Sequence, residues 1–333
     1  MIERLVPQQI DIETSSVCNL KCKLCPSLED PRRGFMPLDV FKAITTRAAE
    51  ECPSASIVPW LNGEPFLHPD YDKMLTHLNS LGLRYYVTTN ATLPREDVFD
   101  AILDPKGGAY QIIFSLDGLP GHESRSIEIA RPGTDREVVL STIRTFMERA
   151  RVEKPSLDVA VKICERGQDN EEVETFIQHW LSEGASYVCV GKPLAGENDA
   201  SMRIYPCQYS DHKFMVIKSD LRLVPCAYNV DSTKGDIINF GRYDGSTSIL
   251  DAYNNPAYTA FREKQRAGIF EGPCELCTFA YTGAGLTGEV SFREGILAGE
   301  RLFFKKDYYN TFYSRVDKRK DPSFYATTKR TSL

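Results

Sequence analysis

Long apolar runs are missing from this sequence. No stretch of about 18 consecutive apolar residues occurs, which argues against a transmembrane helix and a membrane partner. The N-terminus, MIERLVPQQID, lacks the apolar core of a secretory signal. Without such a signal, the 10 cysteines point to a reducing compartment and metal ligation rather than disulfides, and a cytoplasmic location is the expectation. Cysteine is also absent beyond Ala284, where the chain ends in about 50 residues of different character.

What is present is ordinary in bulk. The chain has 333 residues, 42% of them hydrophobic and 26% charged. That suits one barrel-sized domain with a smaller unit attached. The net charge of −6 is uneven, because from Arg301 to Leu333 nine Lys/Arg face three Asp/Glu. Such a run can attract nucleotides, phosphates or RNA, but is more often a solvated face; nucleic acid is not an expected partner. Its FFKKDYYNTFY segment could stack on a base or cover a barrel mouth. A packing arm against the barrel is the preferred reading.

The most informative stretch is Ile12 to Cys25, IETSSVCNLKCKLC, with Cys18, Cys22 and Cys25 spaced C-x3-C-x2-C. Three thiolates this close can hold one metal or one iron–sulfur cluster. A four-iron cluster would keep one iron open to a non-protein ligand. A structural zinc site would want a fourth Cys or His nearby. The next candidates, Cys52 and His68, do not complete a compact knuckle.

Around this loop the pattern alternates. Residues 8–13 read as a strand, Pro37–Cys52 as a helix with Val40, Phe41, Ile44 and Ala48 at helical spacing, and Ala55–Leu61 as a buried strand. Tyr71–Leu81, Pro94–Leu103, Thr134–Ala150 and Asp169–Ser182 read as helices. They are separated by strands at Arg84–Thr89, Gln111–Leu116, Leu157–Cys164 and Tyr187–Val190. This order implies parallel strands with right-handed crossovers. The expected fold is α/β, a partial (β/α)6 TIM-type barrel open on one side, followed by a small α+β unit. A linker is expected at Ala195–Ala200, so the units are 1–197, 198–283 and a tail 284–333. In barrels the site lies at the C-terminal strand ends, where the three cysteines, Glu64, Asn90 and Ser115 all fall.

The cysteine loop resembles that of the radical SAM (S-adenosylmethionine) superfamily. Several strand-end motifs, spread over roughly residues 8 to 280, extend the likeness. The resemblance implies that Cys18, Cys22 and Cys25 hold a [4Fe–4S] cluster whose fourth iron is chelated by SAM. Reduction then releases methionine and a 5′-deoxyadenosyl radical that takes a hydrogen atom from the substrate. Asn62-Gly63-Glu64-Pro65 resembles the Gly-Gly-Glu motif, with Asn62 in place of the first glycine. Glu64 would bind the SAM ammonium, and Gly63 would let the backbone come close. By the same resemblance Asn90, in Thr89-Asn90, would face the SAM ribose or methionine. Ser115, in an S-x-D-G, would face its carboxylate, with Arg131 or Arg125 as the pairing arginine. The position before Cys25, often aromatic in the family, is Leu24.

A second set, Cys207, Cys226, Cys274 and Cys277, has the spacing C-x18-C-x47-C-x2-C. Lys213–Val224 between the first two reads as a hairpin, and Asn254–Ala267 as a helix followed by a tight turn at Gly272-Pro273-Cys274. Alone, these spacings permit a four-thiolate zinc site. After a radical SAM barrel they resemble the twitch form of the SPASM domain, which implies an auxiliary [4Fe–4S] cluster suited to moving an electron. Cys52, Cys164 and Cys189 sit in apolar patterns and read as core residues.

The layout is similar to that of the twitch-bearing dehydrogenases of aminocyclitol antibiotic biosynthesis. The expected function is oxidation of a secondary alcohol to a ketone on a small molecule (sugar, cyclitol or nucleoside), with flavodoxin or ferredoxin as electron donor. Lys192, at the end of the sixth strand, is the candidate to assist deprotonation. Epimerisation, decarboxylation, carbon–carbon bond formation and ribosomal-peptide maturation remain open, as does a non-catalytic metal-stabilised or electron-transfer protein. A first strand beginning by residue 8 leaves no room for an N-terminal peptide-binding domain, which favours a small molecule.

Overall fold

In a computed structural model the chain is described over residues 4–22, 25, 33–116, 118, 131–164, 170–191, 214–227, 229, 238–274, 293–297 and 300–304. Lys192, Cys207, Cys277, Arg125 and Leu24 lie outside these residues, as do the linker and the tail beyond Phe304.

Six strands alternate with five helices in the expected order. They run β1 Gln9–Ile12, α1 Leu38–Glu51, β2 Ser56–Val58, α2 Tyr71–Ser80, β3 Tyr85–Thr89, α3 Glu96–Leu103, β4 Ala109–Ser115, α4 Arg136–Glu153, β5 Asp158–Cys164, α5 Asn170–Glu183 and β6 Tyr187–Gly191. All neighbouring pairs from β1 to β6 are parallel. The helices cover one face of this sheet and bury Phe41, Ile44, Leu75, Leu78, Phe99, Ile143 and Phe146 against Ile10, Ile12, Val87, Ile112 and Phe114. Helix α4 starts two residues later than the sequence pattern suggests. The Asp135 side chain caps it by accepting from the amides of Glu137 and Val138.

The sheet does not stop at the barrel. Strand β7 (Phe214–Ile217) lies parallel to β1, with Gln9 opposite Phe214 and Ile12 opposite Ile217, and β8 (Leu223–Val224) folds back on it. The hairpin expected after the linker therefore extends the barrel sheet. At the other edge, β10 (Glu300–Phe304) pairs antiparallel with β6 and with β9 (Arg293–Leu297). Two strands of the tail thus lie along the barrel edge; the FFKKDYYNTFY segment read as a packing arm lies, from Lys305 on, outside the described residues. The order is β8-β7-β1-β2-β3-β4-β5-β6-β10-β9.

Two further helices follow the β7–β8 hairpin, α6 (Ile249–Tyr253) and α7 (Pro256–Arg266). The first, unexpected from sequence, is capped by Ser248, whose Oγ accepts from Asp251 N. Both helices are tied to the barrel. Glu51 Oε2 accepts from Ser248 Oγ at 2.7 Å, and Asn254 brackets Leu5 through both its amide atoms. The loop before α6 comes so close to α1 that a Cβ on Gly245 (φ +83°) would lie 2.6 Å from Ile44 N.

Candidate active site

The site forms where β1, β2, β3 and β4 end. After β1 the chain enters the cysteine loop, where Cys22 O accepts from Cys25 N at 3.0 Å in a tight turn. Cys18, Cys22 and Cys25 are half-buried and in no disulfide. Burial, with Glu64, Cys25 and Cys22 as nearby negative groups, pushes the Cys18 thiol up to about 11 against the pull of the Leu20 amide. Three thiols on one loop, with a carboxylate whose charge makes Cys18 harder to ionise, form a donor set that a cation would relieve. The chemistry of this set therefore fits an iron–sulfur cluster, although among the described residues no three His, Cys, Asp or Glu are gathered as a closed metal-holding group. The zinc alternative loses one of its candidates. His68 donates Nε2–H to Met36 O and accepts the Asp70 amide at Nδ1, so both ring nitrogens are engaged. Cys52 and Cys189 are core residues, as expected.

Glu64 is the hub of the neighbouring strand ends. It is 2% exposed. Its carboxylate accepts from Thr89 Oγ1 (2.7 Å), Asn90 N (2.8 Å) and Phe66 N (3.0 Å). Burial raises its pKa, while these three donors and the nearby Arg131 pull it back down. Three donors and an arginine keep an anion tolerable there without using every lone pair. Asn90 Nδ2 donates to Asn19 Oδ1 at 3.0 Å and lies 3.9 Å from Cys18 Sγ, so the β3 end touches the cysteine loop. At the β4 end Arg131, buried, donates Nη2 to Ser115 Oγ at 2.7 Å. Its rival from the sequence, Arg125, lies outside the described residues.

Two residues of the expected site behave differently from a simple ligand contact. Asn62 donates its side-chain amide to Ala227 O at 3.0 Å. Gly63 (φ +83°) sits against the backbone before Cys18, where a Cβ would meet Ser15 O at 2.5 Å. Of the second cysteine set, Cys226 and Cys274 fall among the described residues, half-buried and buried.

Sequence reasoning missed Lys162. On β5, Val159, Val161 and Ile163 enter the helix-covered core, so Lys162 stands on the opposite, concave face. Its register partners are Ser115 on β4 and Cys189 on β6. Alternation in DVAVKIC carries that signal; the sequence reading looked for the cation one strand later, at Lys192. The same concave face carries Thr88 and Gln111. Among the described residues no hydrogen-bond partner reaches Thr88 Oγ1, Gln111 Oε1 or the indole N–H of Trp60.

The radical SAM superfamily matches residues 12–191, and the chain belongs to it. A relative from Pyrococcus furiosus, a tungsten-containing aldehyde ferredoxin oxidoreductase cofactor-modifying protein, is 23% identical over 299 residues, covering 75% of this chain and 82% of its own. Three solved structures share the fold. SuiB of Streptococcus suis bound to S-adenosylmethionine has a TM-score of 0.62 at 16% identity, over 77% of this chain and 68% of that one. BtrN in complex with AdoMet and 2-DOIA has a TM-score of 0.53 at 16% identity, over 83% and 94%. AdoMet-bound anSMEcpe has a TM-score of 0.58 at 14% identity, over 94% and 96%. Among the described residues, no helix is long and apolar enough to cross a membrane.

Proposed function

We propose that this radical SAM enzyme oxidises a secondary alcohol of a small polar molecule, a sugar, cyclitol or nucleoside, to a ketone. When bound, the reduced cluster and SAM would supply a 5′-deoxyadenosyl radical. In this reading Cys18, Cys22 and Cys25 hold the cluster, and Glu64 receives the SAM ammonium at its remaining lone pair. Arg131, aligned by Ser115, would pair with the SAM carboxylate, and Asn90 would meet its ribose or methionine. The observation that supports the substrate class is a set of neutral hydrogen-bonding groups on the concave face. Thr88, Gln111 and Trp60 offer a hydroxyl, an amide oxygen and an indole N–H that have no hydrogen-bond partner among the described residues, and a hydroxylated ligand matches them.

The balance closes. Alcohol and SAM give ketone, 5′-deoxyadenosine, methionine and one proton; the electron that starts the cycle is returned. Lys162, beside Ser115 in register, is a candidate to take the hydroxyl proton, with Lys192 the alternative. Cys207, Cys226, Cys274 and Cys277 would hold a second [4Fe–4S] cluster in the unit 198–283 to take the substrate's electron. Flavodoxin or ferredoxin would supply the first.

The test is anaerobic turnover with deuterated candidate alcohols. Ketone and 5′-deoxyadenosine form one to one, deuterium enters 5′-deoxyadenosine, and Cys274→Ala abolishes the ketone. Deuterium transfer without ketone would sink the dehydrogenase assignment. The Pyrococcus relative's name supports a second reading, in which the substrate is the organic part of a metal cofactor; the same isotope transfer from such a cofactor would favour it.

A further inference from the structure

Three consecutive residues after β2 touch both cysteine-bearing parts of the chain. Asn62 stands where the family motif has glycine. Its Nδ2 donates to the carbonyl of Ala227, both residues being buried, and Ala227 directly follows Cys226. Gly63 packs on Ser15–Val17; a Cβ there would meet Val17 O at 2.8 Å as well as Ser15 O. Glu64 donates its amide to Val17 O at 2.8 Å, and Val17 precedes Cys18. The Glu64 carboxylate then holds the β3 end, whose Asn90 reaches Asn19 and Cys18. The turn has no slack between these anchors. Gly63 is already in contact with the backbone beneath it, so a shift of the turn must move Ala227 or break the Asn62 bond.

We propose that the Asn62-Gly63-Glu64 turn is a positioning device that couples SAM occupancy to the placement of the Cys226 segment. The proposal rests on the SAM-site reading above. A ligand that engages Glu64 fixes the turn, and the fixed turn holds the backbone next to Cys226. Because coupling between two sites is reciprocal, an ordered Cys226 segment also favours SAM. Asn62 is a positioning residue here, acting through a backbone carbonyl. Glycine at 62, the residue of the family motif, has no donor to make this link. Aspartate, nearly the same shape, would set an acceptor against an acceptor.

The experiment is amide hydrogen exchange of the anaerobically reconstituted full chain, with and without SAM, for the wild type, Asn62→Asp and Asn62→Gly. SAM is expected to slow exchange over residues 223–229 about tenfold in the wild type, the scale of one hydrogen bond, and less than twofold in both variants. Its protection of residues 17–20 and 89–92 persists in all three. A purely structural role would raise exchange at 223–229 equally with and without SAM. In turnover, both variants release several-fold more 5′-deoxyadenosine per product. Equal SAM-dependent protection at 223–229 in wild type and variants overturns the proposal, as does protection confined to 17–20 and 89–92 in the wild type. No protection anywhere sinks the SAM-site reading along with it. The second-cluster reading is judged separately, since Cys226→Ala should then lower bound iron by about four per chain. Unchanged iron would remove that cluster while leaving the exchange result to decide the coupling.

Discussion

Asp11 shows how one barrel-lining residue carries a pH dependence. It is buried on the concave face of β1 and accepts a hydrogen bond from Gln9 Nε2 at 2.7 Å. Burial raises its pKa from 3.8 to about 7, and the Gln9 bond opposes this only in part. Below about pH 4 folded and unfolded chains both hold the proton; between about 4 and 7 only the folded chain does. Stability therefore falls as pH rises through that window, by roughly 4 kcal/mol for a shift of this size, and is flat above it. Urea unfolding of wild type and Asp11→Asn at pH 5 and pH 8 checks this. The wild type should lose stability between the two values and the variant should lose much less; parallel losses would contradict it. Asp11 itself was not legible as special, because QIDI reads as alternation whichever polar residue occupies the inner face. The cysteine loop stood out by residue type and close spacing and Glu64 by its motif, whereas the three donors gathered on Glu64 came only with the fold. Lys162 was hidden for the opposite reason: a lysine in a strand becomes informative only once its neighbours are known to face the helices.

At the scale of elements, α3, α4 and β4 meet through three rings. Phe146 packs edge-on against Phe99 at 4.8 Å and Phe114 at 5.5 Å between centroids. All three are essentially inaccessible to water. Phe146→Ala should cost about 3–5 kcal/mol, because the void cannot be refilled without moving a strand. Denaturant unfolding at fixed pH measures it, and a cost under about 1 kcal/mol would mean that the helix collapses onto the gap. Such elements were readable from 3.6-residue and two-residue periodicities, and their observed limits differ from the expected ones by only a few residues. Where a boundary moved, a side chain moved it, as Asp135 does at the start of α4. Helix α6 escaped notice because five residues are too few for a periodicity; only Ser248 three residues before Asp251 announced it.

At the scale of the whole molecule, the junction between β1 and β7 holds a fully buried ion pair. Lys218 Nζ lies 2.7 Å from Glu13 Oε1, with both side chains 1% exposed. Glu13 Oε2 also accepts from Ser219 N and Oγ. Glu13 leads into the cysteine loop and Lys218 ends the strand before the turn toward Cys226, so the pair joins the two halves. Lys218→Met strands a buried carboxylate and should cost about 3–5 kcal/mol, whereas Glu13→Gln with Lys218→Met should recover most of it. Thermal unfolding of the single and double variants decides; equal destabilisation in both would show that shape, not charge, matters at the junction.

What the sequence determined by itself was local: the strand–helix alternation, the first cysteine loop, and the polar residues at each strand end. These follow from backbone preferences and donor chemistry over a few residues. Tertiary structure alone decided which segments close the two edges of the sheet, with β7 beside β1 and β10 beside β6. It also decided that Asn62 meets Ala227 and Glu13 meets Lys218, over 100 residues away in sequence. An open strand edge accepts any strand with free amides and carbonyls, so local propensity cannot select the partner. At the β1 edge, α6 bonded to α1 through Ser248 and Glu51, and Tyr258 of α7 bonded to Phe214 O of β7, hold the chosen strand in place.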